Sequence, residues 1–370
     1  MWIFRVKQPP GSLLVFKARY VARGFSQRQR VDFFQTSSPT PKMTTLRVLL
    51  HVAAQRDYKL HSPDFSSAFL QGNLHKDIWL RRPPGFTGSF PAGTQWSLWR
   101  PVYGLRQAPR EWHDTLRTTR AALGFAPSTA DPSLFLRTDT TLPPFYVLVN
   151  VDDLVFATAD TEALAHVKSE LQKRLTCTDL GELISYLCLR ITRDRAQRTI
   201  TLTQSHMVQQ VLQRFGFKYS TSQSTPLPTG HSLSAPPLDE SVEPSGPYPE
   251  LVGCLIKEHM DAAKRVLRYL CSTSGMGLEF SSLDTQTLLG SSCEAEIYAG
   301  AMAALELRWL TYLQIDLGEP PRSPPVLYVD NKAMIALCQE HRLEHRTKHI
   351  ALRYFLAREL QQRGQLPEQG

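Results

Sequence analysis

The sequence predicts an α+β chain with more than one domain, and three observations carry this prediction. Segments with helical periodicity alternate with short apolar runs of strand length. The 370 residues are 42% hydrophobic and 21% charged, which is enough for two or three globular domains. Residues 221–250 are rich in Ser, Thr and Pro, so we expect an extended linker there.

The predicted elements follow the chain in order. Residues 1–40 predict short strands and basic loops, and residues 44–54 predict a helix. A second helix begins near Pro109, because proline is favoured in the first helical turn. Asp160 or Thr161 caps a third helix. Beyond it we expect a hairpin over 189–203 and helices over 207–215, 261–270 and 294–313, with only a poorly patterned stretch between the last two.

Positive charge is concentrated near the N-terminus. Residues 1–60 hold eleven Lys and Arg against two Asp and Glu, while the whole chain has a net charge of +8. Such a patch favours a polyanionic partner, although a merely soluble basic surface explains it equally well.

Several protein classes are not expected. The six cysteines form no C-x-x-C pair and have no paired spacing with His, which argues against a zinc site or a disulfide framework. No apolar run approaches the ~18–20 residues that span a bilayer. Residues 1–5 resemble a strand that begins inside a domain, so we expect a fragment of a longer protein.

The most informative local feature is a pair of adjacent acids. Asp152 and Asp153 lie between the apolar runs 145–149 and 154–157, which predicts a tight β-hairpin with both carboxylates at its tip. Like charges held this close need a compensating cation, and hard oxygen ligands suit Mg²⁺. The alternative is a solvated turn, in which aspartate is common.

Five segments extend the pattern around this hairpin. They begin at Phe16, Asp64, Arg82, Tyr103 and Val151, and they read FKARYVARGF, DFSSAFL, RPPGF, YGLRQAPREW and VDD. In this order they closely resemble the reverse transcriptase of copia-like LTR retrotransposons. The resemblance covers most of residues 1–220, and it resumes in 261–271 and in 291–357, where it reaches the family's RNase H region.

The resemblance implies a fold and an activity. It implies a right-handed polymerase with palm, fingers and thumb over 1–220, a residual connection helix over 251–275 and a truncated α/β RNase H-like region over 276–370. It also implies an RNA-directed DNA polymerase that uses an RNA template, a DNA primer and dNTPs, and cytoplasmic virus-like particles as its location. Asp64, Asp152 and Asp153 would hold Mg²⁺ or Mn²⁺.

Further roles follow only from the resemblance, and each has a simpler alternative. Phe69 would be the steric gate against ribonucleotides, or a core residue. Gln107 would contact the incoming nucleotide, or merely precede a helix. Lys17, Arg19 and Arg23 would bind the triphosphate or the template backbone, or lie in solvent. The remaining three, Asn150, Leu187 and Cys188, would contact primer or template.

Three residues of the polymerase region depart from the family pattern. Asn150 replaces a tyrosine, Cys188 stands where glycine is favoured, and Pro63 precedes Asp64, although proline is poorly tolerated in a central strand.

The RNase H region departs further. Glu296 and Asp330 match its second and third acids, but residues 277–291 are too few for the leading strands that carry the first acid, and Ala351 stands where many relatives have Asp. We therefore expect RNase H activity to be lost. A decayed, non-catalytic remnant that binds nucleic acid at most is the alternative function, and a basic nucleic-acid-binding module unrelated to polymerases leaves the five segments unexplained.

Overall fold

The computed structural model describes residues 1–7, 13–83, 91, 93–225, 257–280, 293–321 and 325. Within these ranges the helices are α1 (Met43–Gln55), α2 (Ala108–Ala122), α3 (Thr161–Arg174), α4 (Ser205–Arg214), α5 (Lys257–Thr273) and α6 (Cys293–Asp316). The strands are β1 (Trp2–Lys7), β2 (Val15–Tyr20), β3 (Lys59–Phe65), β4 (Trp79–Arg81), β5 (Gln95–Ser97), β6 (Phe125–Pro127), β7 (Leu134–Arg137), β8 (Phe145–Asn150), β9 (Asp153–Thr158), β10 (Cys177–Glu182), β11 (Ser185–Tyr186), β12 (Leu189–Asp194), β13 (Thr199–Thr203) and β14 (Gly277–Phe280).

Contacts divide the chain into two compact units. The first comprises residues 1–182 with 283–370, and the second comprises residues 183–282. The described helices and strands show a mixed helix-and-sheet structure, whereas the predicted domain boundaries at 220, 250 and 275 remain predictions. None of the helices in the described ranges is long and apolar enough to cross a membrane.

A six-stranded antiparallel sheet forms the centre of the first unit. Its strand order is β10-β3-β9-β8-β7-β6. Side chains alternate between the two faces of each strand, so Phe145, Val147 and Val149 of β8 enter one core while Tyr146 lies on the opposite face. Apolar residues of α2 and α3 complete that core.

The local predictions for this unit are confirmed. The β8–β9 hairpin and helices α1, α2 and α3 form where the sequence placed them. Asp160 caps α3, because its Oδ1 accepts a hydrogen bond from the Ala163 backbone N–H at 2.9 Å.

Helix α6 belongs to the first unit, where its second half packs against the connection between β6 and β7. The Trp309 indole N–H donates a hydrogen bond to the Ala130 carbonyl at 2.8 Å. The Asp316 carboxylate accepts bonds from the backbone N–H groups of Thr129 at 3.0 Å and Ala130 at 3.2 Å. The predicted helix over 294–313 is thus confirmed. Its C-terminal half is hydrogen-bonded to Ala130, which lies 179 residues before Trp309 and 186 residues before Asp316.

The second unit is built on a four-stranded sheet of order β11-β12-β13-β14, accompanied by α4 and α5. We expected only a poorly patterned stretch between the last two helices, and this was wrong for residues 277–280. They form β14, because the edge of β13 offers unpaired backbone groups that an extended segment can satisfy whatever its side chains. Most of the predicted linker, residues 226–250, lies outside the described ranges.

Candidate active site

Asp152 and Asp153 lie at the tip of the β8–β9 hairpin. Asn150 and Asp153 form the last pair of the ladder, so Val151 and Asp152 alone make the turn. Val151 has a φ of 58°, a strained conformation for a β-branched residue. Both carboxylates are exposed. The hairpin therefore presents two adjacent acids to solvent from a tight and strained connection.

Trp112 of α2 holds this turn in place. Its side chain is fully buried, and its indole N–H donates a hydrogen bond to the Val151 carbonyl at 2.8 Å. The same ring packs edge-on against Phe65, with 5.1 Å between the ring centroids. Because Phe65 follows Asp64 and Val151 precedes Asp152, one buried side chain links the two places where the acids lie.

Asp64 lies near the end of β3, beside the hairpin. Strand β3 runs antiparallel to β9, with His61 opposite Phe156. Three residues further along β3 is Asp64, and three residues back along β9 is Asp153, so the strand directions bring the two acids to the same end of the sheet. Strand pairing thus brings Asp64 and Asp152, which are 88 positions apart in sequence, to the same end of the sheet.

Pro63 fits this strand for a local reason. The pairs between β3 and β9 end at His61, two residues before the proline. On the other side Pro63 faces Asp179 of β10, beside an irregularity in the register between Asp179 and Glu182. Proline is tolerated where the ladder has ended or bulges, since no backbone N–H is required there.

The carboxyl of Asp153 senses the charges of the two other acids. Although Asp153 is exposed at the hairpin tip, the surrounding protein partly desolvates its carboxyl, and this desolvation together with the negative charges of Asp152 and Asp64 raises its pKa above the usual value. All donors here are carboxylate oxygens, which are the ligands that Mg²⁺ and Mn²⁺ prefer. Among the described residues, however, no group of three or more His, Cys, Asp or Glu side chains is close enough to form a ready-made metal site. The donor chemistry of the three acids nevertheless fits a divalent cation.

Two of the motif segments are joined by hydrogen bonds to backbone carbonyls. The Ala22 N–H donates to the Tyr103 carbonyl at 2.8 Å, and the Arg106 side chain donates to the Gly24 carbonyl at 2.8 Å. A Cβ at Gly104, whose φ is +90°, would lie 2.2 Å from the Ala22 carbonyl oxygen. Glycine is therefore required at 104, because any other residue would push the two segments apart.

Gln107 secures the same junction. It is buried, its Oε1 accepts a hydrogen bond from the Gln27 side chain at 3.1 Å, and its Nε2 donates to the Asp32 carbonyl at 3.4 Å. Both ends of the amide are thus occupied by the neighbouring loop. The contact of Gln107 with a nucleotide stays a prediction, and its environment here is that of a structural link.

Tyr103 is the residue that sequence reasoning missed. Its ring lies 4.8 Å from the ring of Phe69, and the guanidinium of Arg19 lies 4.9 Å from its centroid. Burial and the charges of Asp152 and Asp64 raise the pKa of its phenol. The only signal in the sequence was its position at the start of one of the five motif segments, and its importance depends on contacts with two distant segments, those that contain Phe69 and Arg19.

The other predicted site residues fall into three groups. Lys17, Arg19 and Arg23 are exposed near the junction, with Lys17 and Arg19 on the same face of β2. Leu187 and Cys188 form the turn between β11 and β12 in the second unit. Glu296 lies on α6, where only the backbone is described, and Asp330 lies outside the described residues.

Comparison with known proteins decides the family. The reverse transcriptase (RNA-dependent DNA polymerase) family matches residues 1–229, which is well over half of the chain. The chain belongs to this reverse transcriptase family. Among its curated relatives are the retrovirus-related Pol polyproteins from transposons RE2 of Arabidopsis thaliana, 30% identical over 99% of this chain, and TNT 1-94 of Nicotiana tabacum, 28% identical over 97%. These relatives place it in the copia-like group.

The chain covers less than a third of the length of these copia-like Pol polyproteins. The chain spans 29% of the RE2 polyprotein and 32% of the TNT 1-94 polyprotein. The alignment with the RE2 polyprotein runs over 431 positions, 61 more than the 370 residues of this chain, so the relative carries segments that this chain lacks. The resemblance seen in the five motif segments is thereby confirmed.

Proposed function

We propose that this reverse transcriptase family member is the RNA-directed DNA polymerase part of a copia-like Pol polyprotein, and that it adds dNTPs to the 3′ end of a primer annealed to an RNA or DNA template. One observation carries the proposal. The pairing of β3 with β9 brings Asp64 to the end of the sheet where Asp152 and Asp153 lie, and the pKa of Asp153 responds to both other acids.

Asp64, Asp152 and Asp153 would hold two Mg²⁺ or Mn²⁺ ions, with Asp64 and Asp152 as the shared ligands. Such ions lower the pKa of the primer 3′-hydroxyl and offset the charge of the reacting phosphate. The raised pKa of Asp153 supports this role, because the acids repel each other until a cation compensates.

The remaining residues would bind the polyanionic substrates. Lys17, Arg19 and Arg23 provide exposed positive charge for the triphosphate or the template backbone. Phe69 is half-buried and stands against Tyr103, a rigid position suited to excluding a 2′-hydroxyl. Asn150, next to the acids, and the turn at Leu187 and Cys188 would contact primer or template.

In this proposal the first unit supplies palm and fingers and the second unit supplies the thumb. RNase H activity is lost, since the acids that match that domain are reduced to Glu296 and Asp330. The contacts of α6 support this, because Trp309 and Asp316 are both hydrogen-bonded to Ala130, within the part of the chain that resembles the polymerase. Cytoplasmic virus-like particles are the proposed location.

A decayed, non-catalytic remnant is the second candidate. The residue that favours it is Cys188, which has a φ of 65° at a position suited to glycine. Strain of this kind costs stability, and a remnant that no longer binds primer or template would gain nothing in return.

Primer extension separates the two candidates. Folded wild-type protein should extend a DNA primer on an RNA template with Mg²⁺, and Asp152→Asn and Asp64→Asn should each reduce the rate by at least a hundredfold. Asp139→Asn, an exposed aspartate of the β7–β8 loop, is the matched control and should extend normally. Well-folded wild-type protein that extends no primer would establish the remnant.

A further inference from the structure

The ring of Tyr103 contacts two side chains with predicted roles in nucleotide binding. Its ring contacts Phe69, with the two ring planes tilted by 55° at a centroid distance of 4.8 Å. The guanidinium of Arg19 lies over the same ring at 4.9 Å. Phe69, the predicted sugar gate, and Arg19, a predicted phosphate-binding cation, therefore both pack against the ring of Tyr103.

The backbone of Tyr103 is held rigidly, which fixes where this ring can lie. Its carbonyl accepts the Ala22 N–H at 2.8 Å. The next residue, Gly104, has a φ of +90°, and its Cα lies so near the Ala22 carbonyl that a Cβ on residue 104 would clash with it. Gly24 is equally constrained, since a Cβ there would lie 2.2 Å from the Gly104 carbonyl oxygen. A specificity pocket needs this kind of support, because its walls must not yield to the wrong substrate.

The hydroxyl of Tyr103 is available for a ligand. It makes no hydrogen bond with any residue that the structure describes. Burial, and to a smaller extent the charges of Asp152 and Asp64, raise the pKa of this phenol against the opposing effect of Arg19, so the hydroxyl stays protonated. A neutral phenol can donate one hydrogen bond and accept another.

Gln107, by contrast, already has a protein partner at each end of its side-chain amide. Both ends of its amide are hydrogen-bonded to the loop that contains Gln27 and Asp32. Of the side chains in the segment from Tyr103 to Gln107, Tyr103 is therefore the one whose polar group remains free beside the acids.

We propose, building on the polymerase function above, that Tyr103 determines specificity for the sugar of the incoming nucleotide. Its ring supports Phe69 from behind, so that the gate cannot yield to a 2′-hydroxyl. Its hydroxyl hydrogen-bonds the 3′-hydroxyl of the incoming dNTP. A site built to bind a hydroxyl discriminates against the analogue that lacks it, because the polar group of the site is left unpaired.

The test compares three substrates with two variants. Tyr103→Phe keeps the ring and removes the hydroxyl, so kcat/KM for dNTP should fall about tenfold while kcat/KM for 2′,3′-dideoxynucleotides stays unchanged. Its preference for dNTP over rNTP should also stay unchanged. Tyr103→Leu removes the support of Phe69 as well, and its preference for dNTP over rNTP should fall about tenfold.

Tyr20→Phe is the matched control. The Tyr20 hydroxyl donates to the Arg81 carbonyl at 2.8 Å and belongs to the strand that carries Arg19, so its removal disturbs the neighbourhood without touching the proposed sugar contact. All three ratios should equal those of the wild type. Equal losses for dNTP and dideoxynucleotide in Tyr103→Phe would overturn the 3′-hydroxyl contact, and an unchanged ribonucleotide preference in Tyr103→Leu would overturn the support of the gate.

The outcome is separable from that of the polymerase proposal. If the wild type extends primers but the Tyr103 variants keep its ratios, only the present inference fails. If the wild type extends nothing, the polymerase proposal fails, and the inference is then tested by binding. A dideoxy-terminated primer–template with Ca²⁺ cannot react, and its complex with the wild type should retain dNTP about tenfold better than dideoxynucleotide, with no such difference in Tyr103→Phe. Equal retention by the wild type would contradict the inference.

Discussion

The hydroxyl of Tyr146 donates a buried hydrogen bond of 2.6 Å to the backbone carbonyl of Leu317, 171 residues later in the chain. Tyr146 belongs to the central hairpin strand β8, and Leu317 directly follows α6. The segment that resembles an RNase H helix is thus joined to the strand that leads to the proposed catalytic acids, and we expect loss of this hydrogen bond to lower the stability of the first unit.

Tyr146→Phe should lower the free energy of unfolding by about 1–2 kcal/mol, because the Leu317 carbonyl is buried and loses its donor. Urea denaturation followed by tyrosine and tryptophan fluorescence measures the change. Tyr312→Phe, on an exposed part of the same helix, is the control and should change stability by less than about 0.5 kcal/mol. Equal stabilities of Tyr146→Phe and the wild type would show that α6 is not anchored there.

Cys188→Gly should stabilise the protein. Leu187 and Cys188 have φ values of 48° and 65°, the pattern of a two-residue type I′ turn, which favours glycine. Relief of this strain is expected to exceed the entropy cost of glycine, for a net gain of about 0.5–1 kcal/mol. Cys188→Ala removes the thiol but keeps the strain, so it should give no gain in thermal or urea denaturation. A gain from alanine as large as that from glycine would assign the effect to the thiol.

Asp153→Asn should stabilise the protein at neutral pH in the absence of divalent cations. The pKa of Asp153 is raised, so the folded state binds this proton more tightly than the unfolded state does. Its charge therefore opposes folding as pH rises above the unfolded value of about 3.9, and the penalty is complete above the folded pKa. Asparagine has no such penalty. We expect a gain below about 1 kcal/mol at pH 7, since the group is exposed, which shrinks towards pH 4.

Asp139→Asn provides the control of opposite sign for this titration. Hydrogen bonds from Thr141 lower the pKa of Asp139, so its ionised form favours folding and its loss should destabilise the protein at pH 7. Melting temperatures measured from pH 4 to pH 8 with EDTA give both curves. A loss of stability in Asp153→Asn at pH 7 would mean that the acids do not repel one another.

Trp112→Phe should slow catalysis more than it weakens nucleotide binding. The variant keeps an aromatic ring near Phe65 but loses the hydrogen bond to the Val151 carbonyl that holds the acidic turn. We expect kcat for primer extension to fall about tenfold with KM for dNTP within twofold of the wild type. Trp99→Phe, at a 90% exposed position, should leave both unchanged. An increase in KM alone would assign Trp112 to the nucleotide site instead.

The parts of the fold that follow from local chemistry could be predicted from the sequence. The cap at Asp160 and the hairpin at Asp152 depend on residues within a few positions of each other, and the structure places both as expected. The pairing of Asp64 with the hairpin was predicted only through the resemblance, because no local pattern specifies which strand lies beside β9.

The parts that depend on distant contacts could not be predicted. Nothing near Tyr103 indicates that its ring meets Phe69 and Arg19, and nothing near Gln107 indicates that Gln27 occupies its amide. The strand at 277–280 was missed because an edge strand needs only backbone groups of its neighbour, which leave no trace in its own sequence.

Counting bound metal ions tests the central claim most directly. The wild type, with primer–template and dNTP, should bind two Mn²⁺ ions per chain in an EPR titration, and Asp64→Asn and Asp152→Asn should each bind fewer, while Asp139→Asn should bind two. A wild type that binds no Mn²⁺, or Mn²⁺ binding that is the same in all four proteins, would contradict the proposal that these acids jointly hold the catalytic metals.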